Sequence, residues 1–118
     1  MAMKQVLWVD DNAFVLSAIR HLLQTSGYTV VTAPNGKTAL ACASKVFDVV
    51  VLDYNLPDMT GLVIARELRK RRQLLPILIY SDCPDIPEDT MHDVTAFVSK
   101  AEPVQKLLDT IGELTRAA

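Results

Sequence analysis

Asp10 with Asp11, Asp53, Ser81 and Lys100 each stand at the carboxyl end of a short apolar run. Val6-Leu7-Trp8-Val9 leads into the acid pair and Val49-Val50-Val51-Leu52 into Asp53. Ile77-Leu78-Ile79-Tyr80 leads into Ser81, and Ala96-Phe97-Val98, through Ser99, into Lys100. Brought together, three carboxylates, a hydroxyl and an ammonium form a definite chemical set. Adjacent anions raise one another's pKa. A hard divalent cation such as magnesium takes carboxylate, carbonyl and water oxygens, and it removes that difficulty. A cation, an ammonium and a hydroxyl around one carboxylate suit phosphoryl transfer, where catalysis is mainly positioning and neutralisation of charge on the equatorial oxygens. Asp53, supplied by a different strand from the acid pair, is then the nucleophile and forms an acyl phosphate.

Positioning them requires a particular scaffold. Short apolar runs read as strands buried on both faces of a parallel sheet, and open α/β sheets bind ligands outside the carboxyl ends of their strands. Helical spacing fills the gaps between the runs. Val15, Ala18, Ile19, Leu22 and Leu23 keep an i, i+3, i+4, i+7, i+8 stripe, with Asn12 as cap and Gly27 as the left-handed stop. Tyr28 to Thr32 reads as a strand, Asn35 opens an alanine-rich helix to about Lys45, and a third helix runs from Thr60-Gly61 into a basic cluster. A last helix begins at Pro103 and carries Val104, Leu107, Leu108 and Ile111 on one stripe. The alternation predicts a parallel sheet with helices on both faces and right-handed crossovers. Between Ser81 and a fifth strand near Val94 only about a dozen residues remain, close to the minimum for a parallel connection. The helix there, starting at Pro87, is expected to be stunted.

Composition bounds the rest. The chain has 118 residues, 50% of them apolar and 22% charged, with a net charge of −2. That reads as a single globular domain over 1–118, with neither linker nor repeat. No apolar stretch reaches a membrane span and no signal-peptide pattern opens the chain, so the cytoplasm is the expected compartment. Cys42 and Cys83 share no ligand spacing with each other or with His21 and His92, and read as free thiols. Arg66, Arg69, Lys70, Arg71 and Arg72 close a helix, where cations complement the macrodipole. Without interleaved aromatics they do not read as a nucleic-acid surface, and no direct nucleic-acid or membrane partner is expected.

The residues now resemble a family. Asp10-Asp11, then Asp53-Tyr54-Asn55-Leu56-Pro57-Asp58-Met59-Thr60-Gly61, then Ser81 and Lys100 with Phe97 three residues before it, are similar to the receiver domain of two-component response regulators. The likeness runs from Lys4 to about Thr115. It implies a flavodoxin-like, doubly wound five-stranded sheet of order 2-1-3-4-5. It also implies that Asp53 accepts a phosphoryl group from a histidine kinase or phosphotransfer protein. Asp11, Asp53 and the backbone carbonyl of Asn55 would hold Mg2+, with Asp10 reaching it largely through water. Lys100 would pair with the phosphoryl oxygens, Ser81 would swing toward them, and Phe97 would turn inward. An aromatic on a parallel strand is otherwise a core residue, and both readings of Phe97 stand open.

The chain departs from the pattern in three places. Asp82 follows Ser81 where a small residue is usual, and a carboxylate about 5 Å from a phosphoryl oxygen costs roughly 3 kcal/mol at an effective dielectric near 20. Asp82 either faces the pocket or points to water. Ala101 follows Lys100 where many receivers have a proline. The short fourth crossover helix shrinks a face used for pairing. The leading expectation is a phosphorylation-controlled switch that acts on an output domain or target protein. Such a switch is not an enzyme beyond its own Mg-dependent phosphorylation and dephosphorylation. The alternative is a pseudo-receiver serving as a phosphorylation-independent docking module. A phosphatase lacks its second acid two residues after Asp53, and a nucleotide carrier lacks its glycine-rich loop after the first strand.

Overall fold

The computed structural model describes residues 3–42, 45–82 and 92–116. Five strands, β1 (Lys4–Val9), β2 (Tyr28–Ala33), β3 (Val49–Leu52), β4 (Ile77–Ser81) and β5 (Ala96–Ser99), form one sheet in the order β2-β1-β3-β4-β5. Every pairing is parallel. The helices are α1 (Ala13–Thr25), α2 (Gly36–Ala41), α3 (Gly61–Arg71) and α4 (Val104–Arg116). Side chains alternate across a strand, so each continuous apolar run feeds two cores. Leu7, Val9, Val50, Leu52, Ile77 and Ile79 pack with Ala39 of α2 and Ile64, Ala65 and Leu68 of α3. Val6, Trp8, Val49, Val51, Leu78 and Val98 pack with Ile19 and Leu23 of α1 and Leu107 and Ile111 of α4. All four residues of β3 are buried. A central parallel strand needs apolar residues on both faces for this reason.

Local chemistry starts and stops the helices as expected at most ends. The Asn12 side chain accepts from the Phe14 and Val15 N–H groups, Asn35 from Thr38, and Thr60 from Val63. Gly27 takes φ 95 after α1, a conformation that costs a side-chain-bearing residue roughly 1–2 kcal/mol. Three expectations shift. The second helix ends at Ala41 rather than near Lys45, because the Lys45 N–H turns back to the Cys42 carbonyl and the chain drops Phe47 into the core. Pro103 lies just before α4 and accepts from the Lys106 N–H; Val104, expected on the buried stripe, is exposed. In α1, Leu16 packs against the core while Ala18 faces solvent. The stunted helix expected from Pro87 falls at 83–91, outside the described residues, as does Cys83.

The basic cluster that closes α3 is used internally. The Arg69 guanidinium donates to the carbonyls of Gln73 (2.7 Å), Leu75 (2.6 Å) and Asp93 (3.0 Å), joining the end of α3 to the approach to β5. Arg71 donates to the Leu40 carbonyl and Arg72 to that of Phe47. Among the described residues Lys70 pairs with Glu67 alone, one turn away on the surface. A planar fork that satisfies several carbonyls at once is not replaceable by an ammonium. Arg69→Lys is therefore expected to lower stability by about 1–3 kcal/mol, whereas Lys70→Ala should change it by less than about 0.5 kcal/mol. Urea denaturation of the two variants checks the contrast, which vanishes if Arg69 is merely a surface charge.

Candidate functional site

The parallel register ends the strands on a common rim. Past the last paired residues, the Asp10 N–H bonds the Ala33 carbonyl and the Asp53 N–H bonds the Val9 carbonyl, both at 3.0 Å. Asp10 and Asp53 thus leave adjacent strands at the same level. The Lys100 N–H bonds the Ser81 carbonyl at 2.9 Å, which places the lysine beside the end of β4. Carboxylate oxygens of Asp10, Asp11 and Asp53 lie within 4.8 Å of one another. The Lys100 ammonium stands 3.3 Å from Asp53 Oδ2 and 4.0 Å from Asp10 Oδ2. Asp10 is buried, Asp53 half-buried and Asp11 exposed, so the pocket grades from protein interior to water.

Three carboxylates against one ammonium leave a formal local charge of −2 when all are ionised. Burial drives the Asp10 carboxyl above its ordinary pKa, and the negative charges of Asp53 and Asp11 push the same way. The Asn12 N–H, 2.9 Å from Asp10 Oδ1, and the Lys100 ammonium pull it back without cancelling the rise. A site of this charge, lined only by hard oxygen donors, fits a hard divalent cation better than a softer transition metal.

The loop from Asp53 into α3 is closed by backbone. Asn55 and Thr60 form an isolated antiparallel bridge, and the Gly61 N–H donates to the Tyr54 carbonyl at 2.7 Å. A Cβ at Gly61 would collide with the Asp53 carbonyl oxygen, so only glycine lets α3 start this close to the carboxylate's own backbone. The Asn55 N–H also reaches Asp53 Oδ1, at 3.4 Å. Asn55, named from the sequence for its carbonyl, therefore sits in a pinned turn directly beside Asp53.

Two residues of this neighbourhood carry roles that no sequence pattern indicated. The Asp58 carboxylate accepts from the Gly36 N–H and the Lys37 N–H, both at 2.9 Å, and so caps α2 from the loop below the pocket. Its partners are 22 and 21 residues away, beyond any local motif. Tyr80, read only as part of an apolar run, faces the Lys100 ammonium. Ser81 is buried at the end of β4, and Phe97 of β5 is 36% exposed, which removes the core reading for this aromatic. Asp82 is exposed, and the Lys100–Ala101 peptide is trans. Among the described residues neither His21 nor Cys42 joins the carboxylate cluster, and a groove lined by Arg69, Gln73, Leu74 and Pro76 lies at the opposite end of the strands, ahead of β4.

A match to the response regulator receiver domain model spans residues 6–112. The response regulator MprA of Mycolicibacterium vanbaalenii is 38% identical over 85 residues, 71% of this chain and 37% of that protein. The chain spans about half or less of the length of the curated relatives it matches. Among solved structures, the response regulator TrrA of Thermotoga maritima in complex with Mg(2+)-BeF superposes with a TM-score of 0.89 at 30% identity, covering 95% of this chain and 99% of that one. TrrA in complex with the histidine kinase ThkA gives a TM-score of 0.88 at 29% identity, covering 95% and 98%.

The two N–H donors hold the Asp58 carboxyl below its ordinary pKa of 3.8. A depressed folded pKa adds stability that is present above the unfolded value and is lost as pH falls through the folded one. The stability gap between wild type and Asp58→Ala should thus be widest near neutrality and narrow as pH drops below 3.8. Urea melts of both proteins from pH 7 down to pH 3 measure this, and a pH-independent gap would mean that the carboxylate's charge is not what caps α2.

Proposed function

The chain belongs to the response regulator receiver domain family, and from that premise we propose that it is a phosphorylation switch with Asp53 as phosphoacceptor. The observation that carries this reading is the position of Asp53, 3.3 Å from the Lys100 ammonium and within 4.8 Å of the Asp10 and Asp11 carboxylates. The donor is a phosphohistidine on a histidine kinase or phosphotransfer protein, by analogy with the ThkA–TrrA complex. Asp11, Asp53 and the Asn55 carbonyl, with Asp10 through water, would hold Mg2+, whose charge neutralises the phosphoryl oxygens. The Mg(2+)-BeF complex of TrrA and the oxygen-only, −2 character of the pocket support that set.

The residues of this chain then divide the work. An Asp53 carboxylate oxygen attacks phosphorus, the P–N bond to the donor imidazole breaks, and its electron pair stays with the ring nitrogen. The product is an acyl phosphate. Lys100, already paired with Asp53, transfers its charge-assisted hydrogen bond to a phosphoryl oxygen. Burial raises the Asp10 carboxyl above its ordinary pKa, and positive charge gathering in the pocket favours its ionised form. The Ser81 hydroxyl moves toward the new anion, and Phe97, exposed in the unphosphorylated arrangement, turns inward and changes the surface that an output domain or target protein reads. Chemistry ends with the domain's own labelling and hydrolysis, and the cytoplasm supplies both donor and magnesium.

Acetyl phosphate with magnesium is expected to add one phosphoryl mass to the wild type and none to Asp53→Asn, as read by intact-protein mass spectrometry. Equal labelling of the Asn variant would move the nucleophile elsewhere. Calorimetric titration showing no binding at millimolar magnesium would favour the phosphorylation-independent docking module instead.

Asp82 is exposed directly after Ser81 at the carboxyl end of β4, the end of the sheet that an anionic donor approaches on this reading. Its charge should slow that approach. Asp82→Ala is expected to speed labelling by acetyl phosphate and to flatten the dependence on ionic strength, since salt then has less repulsion to screen. Rates across a salt series at saturating magnesium decide it, and identical rates and slopes would make Asp82 a spectator.

A further inference from the structure

Lys100 follows β5 in a turn whose next two residues, Ala101 and Glu102, are exposed. Its backbone is tied to the Ser81 carbonyl, yet its side chain is long and 28% exposed, and an unrestrained lysine samples many rotamers. The Tyr80 ring supplies a restraint: its centroid lies 5.7 Å from the Lys100 Nζ. Tyr80 is itself held, because Trp8 meets it edge-on at 5.7 Å and 70°. Trp8 is 1% exposed on β1 and shares its core with Val51 and Val98. A chain of contacts thus runs from the buried indole through the phenol ring to the ammonium.

We propose that Tyr80 is a positioning residue, whose ring face holds the Lys100 ammonium over the Asp53–Asp10 pair. The inference rests on the reading of Asp53 as phosphoacceptor. An aromatic face suits this task for a physical reason. It attracts the cation through its quadrupole without taking up N–H donors in charge-assisted bonds, so Lys100 keeps them for Asp53 and for a phosphoryl oxygen. A carboxylate at position 80 would compete for the ammonium, and an aliphatic side chain would pack without orienting it. Three restraints then act on Lys100: the β4 carbonyl on its backbone, the carboxylates on its tip, and the ring along its side.

The test compares wild type, Tyr80→Phe and Tyr80→Leu in two measurements. In magnesium-free protein, the Lys100 ε-methylene NMR signals, assigned by their loss in Lys100→Gln, should be displaced upfield by the ring in wild type and Tyr80→Phe. In Tyr80→Leu they should return to ordinary lysine values. Labelling of Asp53 by acetyl phosphate at saturating magnesium should stay near wild type in Tyr80→Phe and fall roughly threefold to tenfold in Tyr80→Leu. If Tyr80→Leu does not fold, Tyr80→Met fills similar space without a ring and takes its place. A folded Leu or Met variant with unchanged shift and rate overturns the proposal. So does a Phe variant as slow as the Leu one, which would assign the effect to the hydroxyl. Wild-type protein that takes no label would refute the phosphoacceptor reading instead, and the methylene shifts alone would then decide the Tyr80 contact.

Discussion

Holding three carboxylates within 4.8 Å of one another while, among the described residues, one ammonium approaches them is electrostatically unfavourable, and the rest of the rim is organised by that fact. Left in water the acids would separate. Here the parallel ladder prevents it, because Asp10 and Asp53 are tied by their own N–H groups to neighbouring strands. Hydrophobic burial of the strands therefore works against charge repulsion at their ends. Lys100, 3.3 Å from Asp53 and 4.0 Å from Asp10, relieves only part of the repulsion, and what is left adds to the upward push that burial gives Asp10. A pocket left short of positive charge by its fold is primed for a cation and for the chemistry that a cation permits.

The same constraint explains why the loop after β3 is so tightly built. Asp53 has to present a carboxylate while its backbone still belongs to the sheet, and the chain must then reverse into α3. Gly61 permits the close approach, the Asn55–Thr60 bridge holds the turn, and Asp58 fastens its outer end to α2. The loop is consequently coupled to two helices on one face of the sheet. Lys100 belongs to the other side of the arrangement, reached from β5 and backed by Tyr80 and Trp8 of the opposite core. The Asp53–Lys100 contact joins the loop after β3 to the end of β5, so a change in charge at the pocket bears on both.

How much of this could be read from the chain alone follows from the range of each interaction. The cap at Asn12, the helix starts at Asn35 and Thr60, and the convergence of Asp10, Asp11, Asp53, Ser81 and Lys100 rest on short-range spacing or on a motif that encodes strand ends, while the strand order came with the family resemblance. Asp58, Arg71 and Arg72 were opaque because their acceptors and donors lie more than twenty residues away and are backbone groups, which leave no side-chain signature. Tyr80 was hidden for a different reason. In a run buried on both faces an aromatic looks like one more apolar residue, and only the register of β4 with β5 shows that it borders the lysine. The α2 boundary failed because alanine favours helix wherever it stands, while burial of Phe47 ended the helix earlier.

On the proposed reading of Asp53 as phosphoacceptor, the route from the pocket to the surface runs by way of Ser81 and Phe97. Ser81 pairs with Ser99 and Ile79 with Phe97, so the serine and the aromatic lie on the same side of adjacent strands, two rungs apart. Ser81 is buried and Phe97 is partly in water. The proposed displacement of Ser81 toward a new anion would open space on that side, and the partly exposed ring two rungs down is placed to move toward it. Phe97 is only 36% exposed, so covering the rest of it would release about a third of the ~1.5–3 kcal/mol of a full burial, roughly 0.5–1 kcal/mol, a bias of a few-fold on a two-state surface. On that proposal the exposed part of the aromatic is a small reserve of hydrophobic free energy, drawn on when the charge at Asp53 changes.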